Sequence, residues 1–528
     1  MLRKILLLFA LLGLLLVGFW PAIFNGYPFF HGDTPSYFRY VDVAVARVTG
    51  RSSDWAPSIP LASPGSALAV PETAAGDHTA KTPFAGRSIY YGALLELGEV
   101  AGTIWLSVAL QAAAFMLTIA LILHHTVGFN GPTFAGSVIA LSLATPVAFF
   151  SSYLMPDLFA GVTILCVAAL LIYGNSMTRG VLLAWVGLLC AGLLFHSSHV
   201  LIAMVLLSVC LIGRFLFQAP VSSKGLISVA FGLAVAFGGD AVFTIASSRM
   251  FGVTPIRPPF LMARLIADGP GEAFLRDRCP QAGFAVCRFV DRLPISTAHV
   301  FLWSADPKTG VLAPADSATK RALADEQFRF AYSVLRYDPI GVAAAALRNT
   351  FVQSVTFSLD EFNLNNDDRY NLRRSVPSRH LQMIEKTKGW ADTLPVGVNR
   401  YALILTAPSL DQGIIQQTQG LSDLFPAEPL PAVFLIVLLI SILYTARIFL
   451  PRDHRSSRDR DMRNLVLITI FGVLVNAFVC GALSEPYERY QARVIWLIPL
   501  LAMLIYLMRR RRDAVPVPSA QPVTPQSP

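Results

Sequence analysis

Charge is scarce in this chain. Only 14% of its 528 residues are charged while 54% are hydrophobic. Soluble domains carry about 25% charged residues, so a soluble protein is excluded and an integral membrane protein is expected. Cysteine is scarce as well. Of the six, Cys166, Cys190, Cys210 and Cys480 lie in or beside apolar runs, as inert packing groups do. Cys279 and Cys287 share the polar segment "RCPQAGFAVCR" and are candidates for a disulfide if that segment lies outside the cytoplasm. No Walker or Rossmann signature is found, which argues against a nucleotide-sugar donor used on the cytoplasmic side. No repeat relates the apolar segments, which counts against a transporter with two matching halves. The net charge of +9 would suggest nucleic acid in a soluble chain. Here the excess sits beside apolar segments, as membrane orientation requires, and no nucleic-acid partner is expected.

What the chain has in abundance is long apolar runs. A membrane helix needs roughly 20 such residues, and candidates lie near 4–25, 103–125, 133–151, 157–174, 180–196, 200–218, 225–248, 430–450, 464–483 and 493–508. The first follows "MLRK" but lacks a small-x-small cleavage site, so it reads as a retained anchor. With the N-terminus inside, the cytoplasmic loops hold Arg3, Lys4, Arg179, Arg214, Lys224, the run "PRDHRSSRDRDMR" and the terminal "RRRR", as the positive-inside rule asks. The expectation is an all-α polytopic protein of about ten spans in the cytoplasmic (inner) membrane, with both termini cytoplasmic. Residues 1–248 form an N-terminal membrane core whose first outer loop is 26–102, where "SIYYGALLELGEVAG" looks like an interfacial amphipathic helix. Residues 249–429 form a large extracytoplasmic loop domain of mixed, mainly helical structure. Residues 430–512 hold the last spans, and 513–528 are a Pro-rich disordered tail.

This topology gathers charged side chains from four outer turns on one face: "HGDTPSY", "SSYLMPD", "FHSSHV" and "LSEPYERYQARV". They bring Asp33, Asp157, His196, His199, Glu485, Glu488, Arg489 and Arg493 to the membrane boundary, where such groups are costly unless paired or useful. Each has a plainer reading. Asp33 before Thr-Pro and Asp157 after Pro156 suit helix N-caps. The two histidines suit interfacial polar groups, and the Glu and Arg residues suit surface pairs. Independent caps and pairs, however, need not collect on one side.

The arrangement resembles the polyprenyl-phosphate-sugar-dependent glycosyltransferases of the GT-C fold, including the lipid A aminoarabinose transferase and protein mannosyltransferase relatives. "GDTPSY" occupies the place of that family's first-loop acid, "YLMPDLFAGVTILCVAALL" that of a second acid before a span rich in small residues. "AGLLFHSSHVLIAMVLL" is similar to its next hairpin, with His where Lys is usual, and "YERYQARVIWLIPLLAMLIYL" to its ending. The likeness covers roughly 1–220 and 464–508; the loop 249–429 matches nothing in it. It implies a GT-C-like core in which Asp33 is the catalytic carboxylate.

The residues suit that chemistry on their own terms. A lipid-phosphate sugar keeps its tail in the bilayer and its sugar in the outer aqueous layer. Ionised Asp33 could take the proton of an attacking acceptor hydroxyl, with inversion at the anomeric carbon. One carboxylate suffices because phosphate leaves without a strong acid, unlike the acid/base pair of a hydrolase. Arg489 and Arg493, at i,i+4 on one helical face, match phosphate oxygens. Asp157, His196, His199, Glu488 and Tyr490 are expected to bind substrate. No cofactor is required, though Asp33, Asp157 and His199 are suitable types for a divalent metal. Tyr37, Tyr40 and Tyr153 suit interfacial anchoring or stacking on a sugar. Asn363, Asn365 and Asp367 are spaced loosely like part of a calcium loop but lack its Gly and Glu. Asp240 inside a span implies a packing partner or a misplaced boundary. The expected partners are a polyprenyl-phosphate sugar, membrane lipid, and a lipid, glycan or protein acceptor. Two alternatives stay open. An O-antigen ligase or polymerase type would rely on Arg373, Arg374 and His380 of the large loop. A transporter, flippase or non-catalytic envelope scaffold would need no base at Asp33.

Overall fold

Proline decides where the apolar runs break. The first run is helical over α1 (Leu2–Gly18) and again over α2 (Trp20–Asn25). Pro21 lacks an N–H and its ring collides with the preceding turn, so the chain resets at Phe19 (φ −135°, ψ 30°). The same reason splits the third expected span. Thr145 is extended before Pro146, as a residue before proline prefers, leaving one helix over Gly131–Ala144 and another over Val147–Ser151. The structure is a computed structural model that describes residues 2–50, 55, 86–359, 362, 376–385, 430–450 and 456–513. Asn363, Asn365, Asp367, Arg373, Arg374 and the tail beyond 513 lie outside the described residues.

In chain order the next helices are α3 (Thr34–Thr49), α4 (Ile89–Val100), α5 (Trp105–Thr126), α6 (Gly131–Ala144), α7 (Val147–Ser151), α8 (Leu158–Tyr173), α9 (Arg179–Phe195), α10 (Ser197–Phe217) and α11 (Ser223–Phe251). The loop domain adds α12 (Phe260–Ala267), α13 (Pro270–Arg278), α14 (Ala298–Trp303), α15 (Ser317–Tyr337), α16 (Pro339–Val355) and α17 (Ser378–Glu385). The chain closes with α18 (Leu430–Ala446), α19 (Ser457–Leu483), α20 (Glu488–Ile495) and α21 (Leu497–Asp513). Among the described residues there is no sheet, only one isolated bridge.

The chain is a multi-pass membrane protein. Seven helices are long and apolar enough to cross a bilayer, those starting at Trp105, Leu158, Ser197, Ser223, Leu430, Ser457 and Glu488. The other three expected spans are helical but shorter: α1 and α9 have 17 residues and α6 has 14. The last span starts at Glu488 rather than near Arg493. Asp240 stays within the candidate span of α11 and has a partner. Half exposed on α11, it accepts two hydrogen bonds from Arg257 (2.9 and 2.8 Å).

Helix α8 is the axis of the membrane core. Every residue from Leu158 to Leu171 is buried, surrounded by α9, α10, α11 and α19. An all-round apolar helix is what a fully enclosed position demands. Gly225 lets α11 reach it, because a Cβ there would overlap the Leu170 carbonyl. Gly225→Ala should therefore push the two helices apart at a cost of about 1–3 kcal/mol, read as a lower thermal-inactivation temperature. Gly238→Ala, which meets open space, should leave it unchanged.

The loop domain has a core of its own, built from Met262, Phe274, Phe284, Phe301, Leu323, Phe330 and their neighbours. Cys279 and Cys287 are disulfide-bonded there. The domain also grips the turn before α20. Gln353 exchanges hydrogen bonds with the Tyr487 backbone (2.8 and 2.9 Å), and Glu485 accepts from the His299 N–H (2.9 Å). Glu485 is thus a joint between the domain and the membrane core.

Candidate functional site

The segment after α2 is laced to the turn before α8. Phe29 N–H donates to Ser152 O and Leu154 N–H to Phe29 O, both at 3.0 Å. Thr34 Oγ1 then donates to Leu154 O (3.1 Å). Gln111, deep on α5, donates to Ser151 O and Tyr153 O. These bonds satisfy buried backbone groups that have no helix to serve them. They also bring Asp33 and Asp157, far apart in sequence, to one place.

Both acids stand at N-cap positions, yet neither side chain caps its helix. The plain reading of each is therefore set aside in favour of a paired one. Asp33 is ion-paired with Arg87, the residue just before the Ser88 cap of α4. His31 places Nδ1 3.4 Å from the Asp33 carboxylate, and its Nε2 accepts from Arg489 (2.9 Å). Arg489 lies 4.0 Å from Asp157, whose carboxylate accepts from Arg493 (3.1 Å). A continuous chain of charge results: Arg87, Asp33, His31, Arg489, Asp157, Arg493.

Exposure divides this chain in two. At the Arg87–Asp33 end the side chains retain 19% and 27% accessibility. At the Arg493–Asp157 end they retain 1% and 3%. Arg493 spends its second amino group on Ser198 Oγ, Asn476 Oδ1 and Cys480 Sγ. It braces α8, α10, α19 and α20, with its guanidinium committed to these partners. Arg489 lies on the same face of α20, and the Tyr490 ring sits 5.0 Å from both guanidiniums, a cation–π arrangement. Glu488 opens α20 half-buried, and the charge chain does not run through it.

The histidines turn out local. His196 caps α10, with Nδ1 accepting from Ser198 N–H (3.2 Å) and 2.8 Å from Ser198 Oγ. His199 is fully buried, with Nδ1 2.7 Å from Gly192 O and Nε2 unpartnered among the described residues. Asp33, Asp157 and His199 do not converge as ligands, and among the described residues no three His, Cys, Asp or Glu side chains are grouped to share an ion. Tyr37, one turn beyond Asp33, is buried edge-to-face on Tyr91 (5.1 Å) rather than anchored at an interface. Its hydroxyl has no hydrogen-bond partner among the described residues. Tyr153 is likewise buried, against Phe362.

Sequence reasoning missed Arg87, His31 as a bridge, and the Ser198–Asn476–Cys480 cradle. Arg87 closes a Ser/Pro/Ala/Gly-rich stretch that reads as linker; its one signal is its place directly before an apolar helix. Electrostatically the Asp33 end is the responsive one. Burial alone would raise the Asp33 carboxyl, but Arg87, then His31 and Arg489, outweigh it and hold it well below the usual carboxylate range. Burial would lower Arg87, yet Asp33 raises it. Asp33 is thus ionised, and it is a weak base for as long as Arg87 stays on it. Compared with protein-family models, curated proteins and solved structures, the chain matches none of them.

Proposed function

We propose that the chain is a membrane glycosyltransferase. It moves a sugar from a polyprenyl phosphate to an envelope lipid, glycan or protein hydroxyl at the outer face of the cytoplasmic membrane. The observation that carries this reading is the charge chain, in which a part-exposed carboxylate shares a site with two guanidiniums, Arg87 and Arg489. The reading takes the seven long helices with α1, α6 and α9 as ten crossings of GT-C type, both termini in the cytoplasm. The disulfide supports an oxidising compartment for the loop domain.

In the reaction the acceptor oxygen attacks the anomeric carbon while Asp33 takes the hydroxyl proton. The bond from that carbon to the phosphate oxygen breaks, and the phosphate departs with the electron pair. Arg87 and Arg489 hold the phosphate charge. As Arg87 turns to the phosphate it releases Asp33, whose carboxyl then moves back up and becomes a better base. Donor binding thereby switches on the base.

Two experiments follow. Full-length protein in lipid vesicles, given a prenyl-phosphate sugar labelled in the sugar, should pass label to a hydroxyl acceptor with inverted anomeric configuration. Retention, or intact donor after long incubation with envelope acceptors, would overturn the reading. The second is a pH profile. A depressed carboxyl loses its charge only below its own low pKa, so kcat/KM, which reports the free enzyme, should stay flat from pH 8 to 5. In Arg87→Gln the burial remains and the cation is gone, so the carboxyl rises and kcat/KM should fall as pH is lowered through that range.

A further inference from the structure

The loop domain presents an apolar outer face that its own core does not use. On α15, Leu323, Phe330 and Val334 are buried in that core. Phe328, Tyr332 and Leu335, spaced i, i+4 and i+7 on the opposite side, are exposed. On α16, Asn349 and Gln353 are buried, with Asn349 donating to Asp268 and Gln353 to Tyr487 O. Ile340, Leu347 and Phe351, again on the opposite side, are exposed. Phe328 and Leu347 each keep 72% of their surface. A helix with water on its outer side carries polar residues there. A row of large apolar side chains marks a binding or membrane surface instead.

Continuity with α19 says which. That helix is long and apolar enough to cross the bilayer, and its Leu467, Phe471, Leu474 and Phe478 form an exposed row at i, i+4, i+7 and i+11. A spanning helix turns such a row to lipid. α16 packs along the same helix. The two backbones come closest at Gly481, three residues beyond Phe478, where a Cβ would overlap the Asn349 carbonyl oxygen. The apolar face of α16 therefore starts beside lipid-facing surface. α15 is joined to it through Asp338 alone.

The charges on this face suit a headgroup layer. Arg329 and Arg336 stand next to Phe328 and Leu335 in the chain, and among the described residues neither has a carboxylate partner. Each lies over an aromatic ring, Arg329 over Phe284 (5.0 Å) and Arg336 over Tyr332 (5.8 Å). The acids of the hairpin are otherwise engaged or remote. Glu326 accepts from the Ala285 and Val286 N–H groups, and Asp338 caps α16 on the Gly341 N–H. Asp325 stands exposed at the far end of the α15 row. An apolar row flanked by unpaired arginines is the pattern of an interfacial helix on anionic lipid.

We propose that α15 and α16 lie on the bilayer as an interfacial hairpin, with this face set into anionic lipid of the leaflet on the loop domain's side. The proposal needs α19 to span the membrane and is independent of the transfer reading.

The test reads lipid contact directly. Full-length protein carrying Phe328→Cys or Leu347→Cys receives a nitroxide label and is reconstituted in nanodiscs of phosphatidylglycerol or of phosphatidylcholine. The parent, treated alike, gives the blank for the native thiols. Collision of the label with oxygen, which concentrates in lipid, is compared with collision with a water-soluble nickel chelate. In phosphatidylglycerol both labels should meet oxygen more often than nickel. Each arginine at an anionic surface contributes about fivefold to docking. Phosphatidylcholine, or Arg329→Gln combined with Arg336→Gln, should therefore shift the Phe328→Cys label toward nickel. Labels open to nickel in phosphatidylglycerol would place the face in water and overturn the proposal. Labels shielded from both reagents would mean that protein covers the face, a second copy or another partner, and would overturn it equally. An oxygen preference indifferent to lipid charge and to both arginines would overturn the anionic assignment.

Discussion

Asp33→Asn should reach the membrane in parental amount and lose transfer about 10²–10⁴-fold, the range a positioned general base contributes. The amide keeps the shape and a hydrogen-bond acceptor for Arg87, whose ion pair it replaces, and the site is part-exposed. The fold therefore has little to lose, since exposed or half-exposed pairs contribute about 0–1 kcal/mol. The assay is label transfer in vesicles, with membrane yield measured alongside. Asp33→Glu should recover part of the rate if a carboxylate is what the reaction needs. A parental rate in Asp33→Asn would remove the base and with it the proposed mechanism.

The opposite behaviour is expected at the buried end. Arg493→Met leaves the Asp157 carboxylate in a site that is 3% exposed with its nearest cation removed. Breaking a buried pair from one side costs about 3–5 kcal/mol, so this variant should fail in membrane yield or lose roughly 10 °C of thermal tolerance. Adding Asp157→Leu removes the stranded charge, and the double variant should regain most of the stability. The double-mutant cycle also tells brace from substrate contact. If the pair only holds α8, α10, α19 and α20 together, activity returns with the fold. A well-folded but inactive double variant would show that Asp157 or Arg493 also meets the substrate.

The contrast between these two carboxylates was only half legible. "HGDTPSY" and "SSYLMPD" announce acids at helix starts beside a bilayer, and the positive-inside rule puts both on one side. Nothing in either string says that the cap position will go unused. That depends on Arg87 and Arg493 outcompeting the backbone N–H groups, a contest decided by which guanidinium arrives. The His pair in "FHSSHV" carries the same signal of costly polarity at the boundary. There the local partners won, Ser198 for His196 and Gly192 for His199.

Composition and hydropathy alone determined that the chain is a multi-pass helical membrane protein, because apolar length and scarce charge leave a bilayer as the only suitable solvent. They ran the third span unbroken through Pro146, where proline's local geometry splits the helix. Tertiary structure decided the rest. It chose Arg87 from a linker-like stretch to pair with Asp33, and packed Arg493 among α8, α10, α19 and α20 as a brace. These are contacts between segments tens to hundreds of residues apart, and Coulomb pairing depends on distance in space, to which spacing along a chain is blind.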